Sequence, residues 1–189
     1  GRGIDVSICD LNFHFLKRII EDTGFDQNDW LSILDEHLDR TVPSIVGVSG
    51  LTVFTELSGS PIHPITAIFK HLVEKNAYII LGGGPTISND IKGYLKRKLC
   101  HFIVEGEGED RINYLLDVLF EEQGHAAVRG IHFLHHGAVC ETEGSGKHVD
   151  LAGNLIETYR NIPIEQYCRV GCLNPFSRMA GQDTVFSVF

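Results

Sequence analysis

The chain has 189 residues, of which 43% are hydrophobic and 22% charged, and its formal net charge is −9 at neutral pH. It has no run of about 18 apolar residues, as a membrane helix needs, and no secretory leader, so we predict a cytoplasmic globular protein and no membrane partner. The acidic excess argues against nucleic acid as the main partner, because affinity for its backbone comes from clustered Lys and Arg. The five cysteines, an odd number at irregular spacing, are typical of a reducing compartment.

Strand and helix patterns alternate along the first 120 residues. Residues 5–10 predict a strand, residues 13–22 a short helix, and residues 30–39 a helix with Leu31, Leu34 and Leu38 on one face. Continuous apolar runs at 45–48, 78–81 and 102–104 predict buried parallel strands. The helices after the first and third of these runs are marked by apolar residues at helical spacing: Ile65, Ile68, Phe69 and Leu72, then Ile112, Leu115, Leu116 and Leu119. We predict an α/β fold, a doubly wound, mainly parallel Rossmann-like sheet with flavodoxin-like strand order.

The pattern changes after residue 123. Residues 130–134 and 138–141, on either side of His135-His136-Gly137, predict a β-hairpin. Residues 144–153 indicate a loop, and from residue 155 onward Pro163 and Pro175 indicate an extended linker. The predicted organisation is therefore a Rossmann-like domain over residues 1–123, a hairpin extension over 124–153 and a linker over 154–189.

Each of the three apolar strands runs into a glycine-rich turn. Ligands of open α/β sheets bind beyond the carboxyl ends of the strands, so the turns predict one shared crevice. A pyrophosphate fits this crevice poorly, because Arg111 replaces the third glycine of the dinucleotide pattern and the carboxylates of Glu105, Glu107 and Glu109 would repel it. A large neutral ligand, held by backbone groups and approached closely at the glycines, fits better.

In this order and spacing, the turns resemble those of the cobalamin-binding domains that precede radical S-adenosylmethionine domains. The segments that carry the resemblance are 46–49, 81–86 and 104–109, and it extends from about residue 5 to Ile162-Pro163. It implies that the chain is the cobalamin-binding module of a larger methyltransferase or cyclase, with the corrin and its nucleotide tail at the strand ends. The cofactor-binding residues it implies are Ser49, Gly50, Leu51, Thr52, Thr55, Gly82, Gly83, Gly84, Pro85, Glu105, Gly106, Glu107 and Gly108.

Metal ligation and catalysis are not expected from this chain's own side chains. Asp35-Glu36-His37 imitates the start of the cobalamin motif Asp-x-His-x-x-Gly, but it lies in a helical pattern with Arg40 in place of the glycine, so we expect no protein histidine on cobalt. Cys168 and Cys172 have the first spacing of a Cys-x-x-x-Cys-x-x-Cys loop, but Pro175 stands in place of the third cysteine. The resemblance implies a [4Fe-4S] cluster and S-adenosylmethionine in a radical domain of the full-length protein outside this chain, which we expect to be inactive alone.

Several polar residues have two interpretations. Glu107 and Glu109 either stabilise a helix N-terminus or contact the ligand, and both roles are compatible. Asp10 and Asn12 are interpreted as turn and cap residues in preference to ligand contacts. Hydroxyls such as those of Ser49 and Thr52, at the end of a buried strand, need partners that a ligand can provide.

The sequence leaves three questions open. The family's central first strand is expected to be missing here, and residues 185–189 or a strand of a neighbouring molecule are candidates for its place. A module that has lost the cofactor and serves in docking or substrate shaping is one alternative function. A small-molecule sensor or nucleotide-binding domain of the same winding is another, because fold does not determine function.

Overall fold

The computed structural model describes residues 4–50, 63–121, 126–145 and 164–170. In chain order, its elements are α1 (Leu11–Glu21), a 3-10 turn (Gln27–Asp29), α2 (Leu31–Thr41), β1 (Ile45–Ser49), α3 (Pro64–Lys75), β2 (Ile79–Gly83), α4 (Pro85–Ser88), α5 (Ile91–Lys96), β3 (Phe102–Val104), α6 (Glu109–Leu119), β4 (Ile131–His135), β5 (Ala138–Glu141) and α7 (Ile164–Val170). The chain forms two compact units. The helical unit is the described part of residues 1–42 and 151–189, and the sheet unit is the described part of residues 43–150.

The helical unit is organised around the start of α1. The Asp10 carboxylate accepts a hydrogen bond from the Phe13 amide at 3.0 Å, which confirms the predicted helix cap. The buried Phe13 ring stacks on Tyr167 of α7 with 4.5 Å between ring centroids, and the Tyr167 hydroxyl donates to Asp10 at 2.7 Å. The predicted helices over residues 13–22 and 30–39 are both present, and Leu34 and Leu38 of the second are buried.

Two predictions for the helical unit are wrong. Residues 4–10 form no strand, and Val6 and Ile8 are 81% and 83% exposed. A strand needs a neighbour for its backbone groups, and no described strand pairs with this segment, so its alternating sequence alone does not make it one. Helix α7 lies within the predicted extended linker, where Phe13 provides the packing surface that stabilises so short a helix.

The sheet unit contains an open five-stranded sheet in the order β1-β2-β3-β4-β5. Strands β1, β2 and β3 are parallel, whereas β4 runs antiparallel to β3 and β5 antiparallel to β4. The predicted parallel strands and the predicted hairpin are therefore confirmed. The described strands follow chain order, and a flavodoxin-like order would require a further strand beside β1.

Helices cover both faces of the parallel strands. Successive residues of a strand point to opposite faces. Leu81 packs with Leu115 of α6 in one buried cluster, whereas a Cβ on Gly82 would lie 3.2 Å from atoms of Phe69 in α3 and Ile87 in α4. The predicted apolar face of α3 is confirmed, but that of α6 only in part, because Ile112 is 41% exposed.

The hairpin turn has the geometry that its sequence predicts. His136 and Gly137 both have positive φ, at 47° and 81°, as the two central residues of a tight hairpin turn require. The predicted loop and linker lie mostly outside the described residues. Within the described part of the chain, every helix is too short or too polar to cross a membrane.

Candidate functional site

The carboxyl ends of the three parallel strands are level. Ser49 of β1 is in register with Gly83 of β2, and Gly83 with Val104 of β3. The turns that follow therefore begin side by side at one edge of the sheet, as the sequence predicts. This edge is the candidate site.

The first two turns pack together through their backbones. Gly84 has φ 85° and ψ 165°, a conformation that only glycine adopts readily. A Cβ at this position would lie 3.0 Å from the Ser49 Oγ and 3.0 Å from the Gly50 carbonyl oxygen. A Cβ on Gly50 would in turn overlap the Ile65 side chain. These two glycines bring the first two turns together as one surface.

The other glycines of this edge differ in their surroundings. Gly82 is buried and faces Phe69 and Ile87, so core packing explains why it is a glycine. Gly83 has space on its open side, since a Cβ there would make only an ordinary contact with the Val104 carbonyl oxygen at 3.5 Å. Of these two predicted contact residues, Gly83 is the one that a ligand can approach.

Gly47 is a site residue that the sequence prediction did not include. A Cβ on Gly47 would have nothing within 4 Å, so packing among the described residues does not require glycine there. Gly47 and Ser49 share one face of β1, and Ser49 pairs with Gly83. Close approach of a ligand to the backbone is one reason for a glycine inside a strand, and the position of Gly47 within an apolar run was the signal in the sequence.

The third turn is held by Arg111, another residue whose role the sequence did not reveal. Its Nη1 donates to the Glu107 carbonyl at 2.5 Å, and its Nε donates to the Arg129 carbonyl at 2.7 Å. Gly106, with φ 74°, reverses the chain in front of this guanidinium. The arginine that breaks the dinucleotide pattern therefore fastens the turn to the start of the hairpin.

Carboxylates surround this third turn. The Glu105 side chain lies 2.8 Å from the His132 Nε2, which ties the end of β3 to β4. Gly108 precedes α6, and Glu109 and Asp110 occupy its first turn. Their negative charges interact favourably with the positive end of the helix dipole. Glu109 therefore has the position that its helix-stabilising interpretation requires, and the acidic charge that disfavours a pyrophosphate is local to the site.

The remaining predicted contact residues are placed as follows. Ser49 is exposed, so water can satisfy its hydroxyl, and the argument that a buried hydroxyl needs a ligand does not apply to it. Pro85 is exposed as the first residue of α4, where its fixed φ suits the helix start. Leu51, Thr52 and Thr55 lie outside the described residues.

His37 is engaged within the helical unit. Its Nδ1 lies 2.9 Å from an Arg40 nitrogen and its Nε2 lies 3.0 Å from the Ser7 Oγ. Because a guanidinium only donates, Nδ1 accepts and Nε2 carries the proton. Burial and the Arg40 charge lower the pKa of His37. In the described ranges no three His, Cys, Asp or Glu side chains are grouped as a metal site would require.

Comparisons of the chain with protein-family models, with curated proteins and with solved structures find no match.

Proposed function

We propose that this chain is the cobalamin-binding module of a larger radical S-adenosylmethionine enzyme of methyltransferase or cyclase type. In this proposal the sheet unit is a Rossmann-like domain and the corrin lies at the carboxyl ends of β1, β2 and β3. The observation that carries the proposal is the level register of the three glycine-rich turns, with Gly84 packed against Ser49 and Gly50. The iron-sulfur cluster and S-adenosylmethionine belong to a different domain of the same protein.

The described residues suit a large, uncharged ligand. Gly47 and Gly83 leave room for a flat molecule to approach the backbone, and the Ser49 hydroxyl is accessible beside them. The rim of cobalamin carries carboxamides, which exchange hydrogen bonds with hydroxyls and backbone groups without an opposite charge. Such a rim tolerates the carboxylates of Glu105 and Glu107, which a pyrophosphate would not.

Each part of the site then has a defined task. The first two turns hold the corrin and its tail, and Arg111 keeps the third turn in place beside them. When bound, cobalamin supplies a methyl carrier, which is chemistry that no side chain provides. We propose that cobalt takes no ligand from His37, because both ring nitrogens of that residue already have partners.

The experiment is retention of cobalamin by the purified chain. The protein is incubated with hydroxocobalamin and desalted, and the corrin absorbance that stays with it is recorded. Gly83→Trp and Ser49→Trp each place a large side chain at the carboxyl edge of the sheet, at positions where the backbone accommodates one. A substitution at Gly84 would also strain the turn. Val118→Trp, at a position on α6 that is 55% exposed, is the matched control.

We expect the parent and Val118→Trp to retain corrin in proportion to the amount of protein. Gly83→Trp and Ser49→Trp should lose the corrin while keeping the circular dichroism spectrum of the parent. Loss in all three variants would show that retention does not involve this edge. A folded parent that retains no corrin would contradict the proposal and favour the cofactor-free docking module.

A further inference from the structure

The helical unit contains a cavity of its own. It has a volume of about 230 Å³ and lies between α1 and α2, with Cys9 at one side. This volume is below the roughly 300–1,000 Å³ of pockets for drug-sized ligands, but it is ample for several waters or a small ion. Its walls are polar, so an apolar occupant is not expected.

The walls of this cavity carry an excess of positive charge, although the chain segment around it is acidic. Residues 4–42 carry nine Asp and Glu side chains and only three basic ones, Lys17, Arg18 and Arg40. All three basic side chains line the cavity. Because all the basic side chains of this acidic segment lie at one cavity, positive potential is concentrated there.

Two of these cations have no carboxylate partner among the described residues. Arg18 forms an ion pair with Glu36 at 2.5 Å, so this pair is neutral as a whole. Arg40 hydrogen-bonds only to the uncharged ring of His37, and Lys17 has no ion-pair partner in the described ranges. Among the described wall residues, Glu21 is the one other carboxylate, and it is exposed. The cavity therefore keeps a net positive charge.

The neutral groups on the walls respond to this charge. Burial lowers the pKa of His14, and the positive charges of Lys17 and Arg40 lower it further, against the opposing effect of Asp10. Burial and the charge of Arg40 act in the same direction on His37. Burial and the charge of Asp10 raise the pKa of the Cys9 thiol, against the opposing effect of Arg40. On the described walls, Glu21 cancels at most one of the two charges of Lys17 and Arg40, and Asp10, which is not a wall residue, accepts hydrogen bonds from the Phe13 amide and the Tyr167 hydroxyl.

We infer that this cavity binds a small oxyanion, a phosphate or a phosphate monoester, between Lys17 and Arg40. Arg40 offers a planar fork of donors that matches two oxygens of such an anion, and Lys17 adds a mobile point charge from α1. The His37 Nε2 donates to the Ser7 Oγ, which fixes the orientation of the ring. The Nδ1 of the same ring accepts from Arg40 and so orients its guanidinium. The site is independent of cobalamin and lies wholly within the helical unit.

The test uses sulfate as the first probe, because its charge stays at −2 between pH 5 and pH 8. Calorimetry at low ionic strength measures the affinity, and side-chain NMR follows the rings of His14 and His37. We expect saturable one-to-one binding that raises the pKa of both histidines, since an anion favours their charged forms. Phosphate and phenyl phosphate are then compared, and the tighter of the two distinguishes a free anion from an ester.

Arg40→Gln and Lys17→Gln are each expected to weaken binding by at least about tenfold, because each removes a charge-assisted hydrogen bond. Arg40→Lys keeps the charge but loses the fork, and it should lie between the parent and Arg40→Gln. Lys92→Gln, a change on the exposed side of α5, should leave the affinity unaltered. Linear, unsaturable shifts, or equal weakening by Lys92→Gln, would reduce the effect to ionic screening and overturn the inference.

Discussion

At the scale of single residues, the candidate site depends on one backbone conformation. Gly84 turns the chain out of β2 with φ 85°, and its missing side chain lets the second turn touch Ser49 and Gly50. A Cβ would therefore meet both backbone strain and close contacts. A Cβ on Gly47, two residues before Ser49 on the same strand face, would cause neither backbone strain nor a close contact.

Replacement of each glycine by alanine separates these cases. Gly84→Ala is expected to lower the free energy of unfolding by about 1–3 kcal/mol, the usual cost of a non-glycine residue in such a conformation. Gly47→Ala should leave stability unchanged or raise it by up to about 1 kcal/mol, because glycine inside a strand is unfavourable. Urea denaturation of the two variants measures the difference. Equal effects would show that the turn does not need the conformation of Gly84.

Arg111 provides a second test at this scale. Arg111→Lys keeps the positive charge but replaces two rigidly spaced donor nitrogens, Nε and Nη1, with one ammonium nitrogen on a flexible stem, so we expect a loss of about 1–2 kcal/mol in the free energy of unfolding. Lys92→Gln should stay within about 0.5 kcal/mol of the parent, because it removes an exposed charge. A tolerated Arg111→Lys would mean that charge alone holds the turn.

These residues also show what the sequence could and could not predict about the site. The three turns were predicted because glycine after an apolar run is a strong turn signal. The sequence could not predict the distinct roles of Gly82, Gly83 and Gly84, because these roles depend on φ angles and on neighbours from other elements. For the same reason the sequence shows Arg111 only as a break in a glycine pattern, since its two acceptors lie 4 and 18 residues away.

At the scale of elements, helix α3 begins with a histidine whose role depends on protonation. The buried His63 accepts the Ile65 amide hydrogen through Nδ1 at 3.2 Å, which requires an unprotonated nitrogen. Burial lowers the pKa of His63. Protonation would both remove the cap and place a charge in a buried position.

The stability of the chain should consequently depend on pH through His63. Because its pKa is lower in the folded state, the unfolded chain binds the proton first as the pH falls. The His63 contribution is therefore complete above the unfolded pKa of about 6.5 and is lost as the pH falls towards the folded pKa.

His63→Asn keeps a cap acceptor without a titrating group, so the free energy of unfolding of this variant should fall less between pH 7.5 and pH 5 than that of the parent. His14 and His37, whose pKa values are also lowered, contribute equally to both proteins. Parallel stability profiles for the two proteins would assign the pH dependence to other groups.

The predicted elements succeeded where local pattern and packing agree. The apolar spacing of α3 and the hairpin around Gly137 were both predicted from short segments, because each contains its own periodicity and turn chemistry. Residues 4–10 have the alternation of a strand but no described partner, and residues 164–170 have a helix that depends on Phe13 and Asp10. The first segment lacks the neighbouring strand that its pattern needs, and the second has a packing partner far away in the sequence.

At the scale of the whole molecule, the two candidate sites differ in their local charge. The third turn of the sheet unit gathers carboxylates around Glu105, whereas the cavity of the helical unit gathers the three cations of residues 4–42. An uncharged cofactor suits the first environment and an oxyanion suits the second. The α/β class and the shared edge of the three turns followed from the sequence, but the strand order and the separate cavity depend on contacts that the sequence pattern does not contain.

The most direct measurement is a map of backbone amide shifts on addition of hydroxocobalamin, whose cobalt(III) is diamagnetic. We expect shifts that saturate together at Gly47, Ser49, Gly83, Gly84 and residues 105–108, with the shifts of α5 and of the hairpin turn unchanged. Shifts confined to other surfaces, or no shifts at saturating cofactor, would contradict the claim that the carboxyl edge of this sheet binds cobalamin.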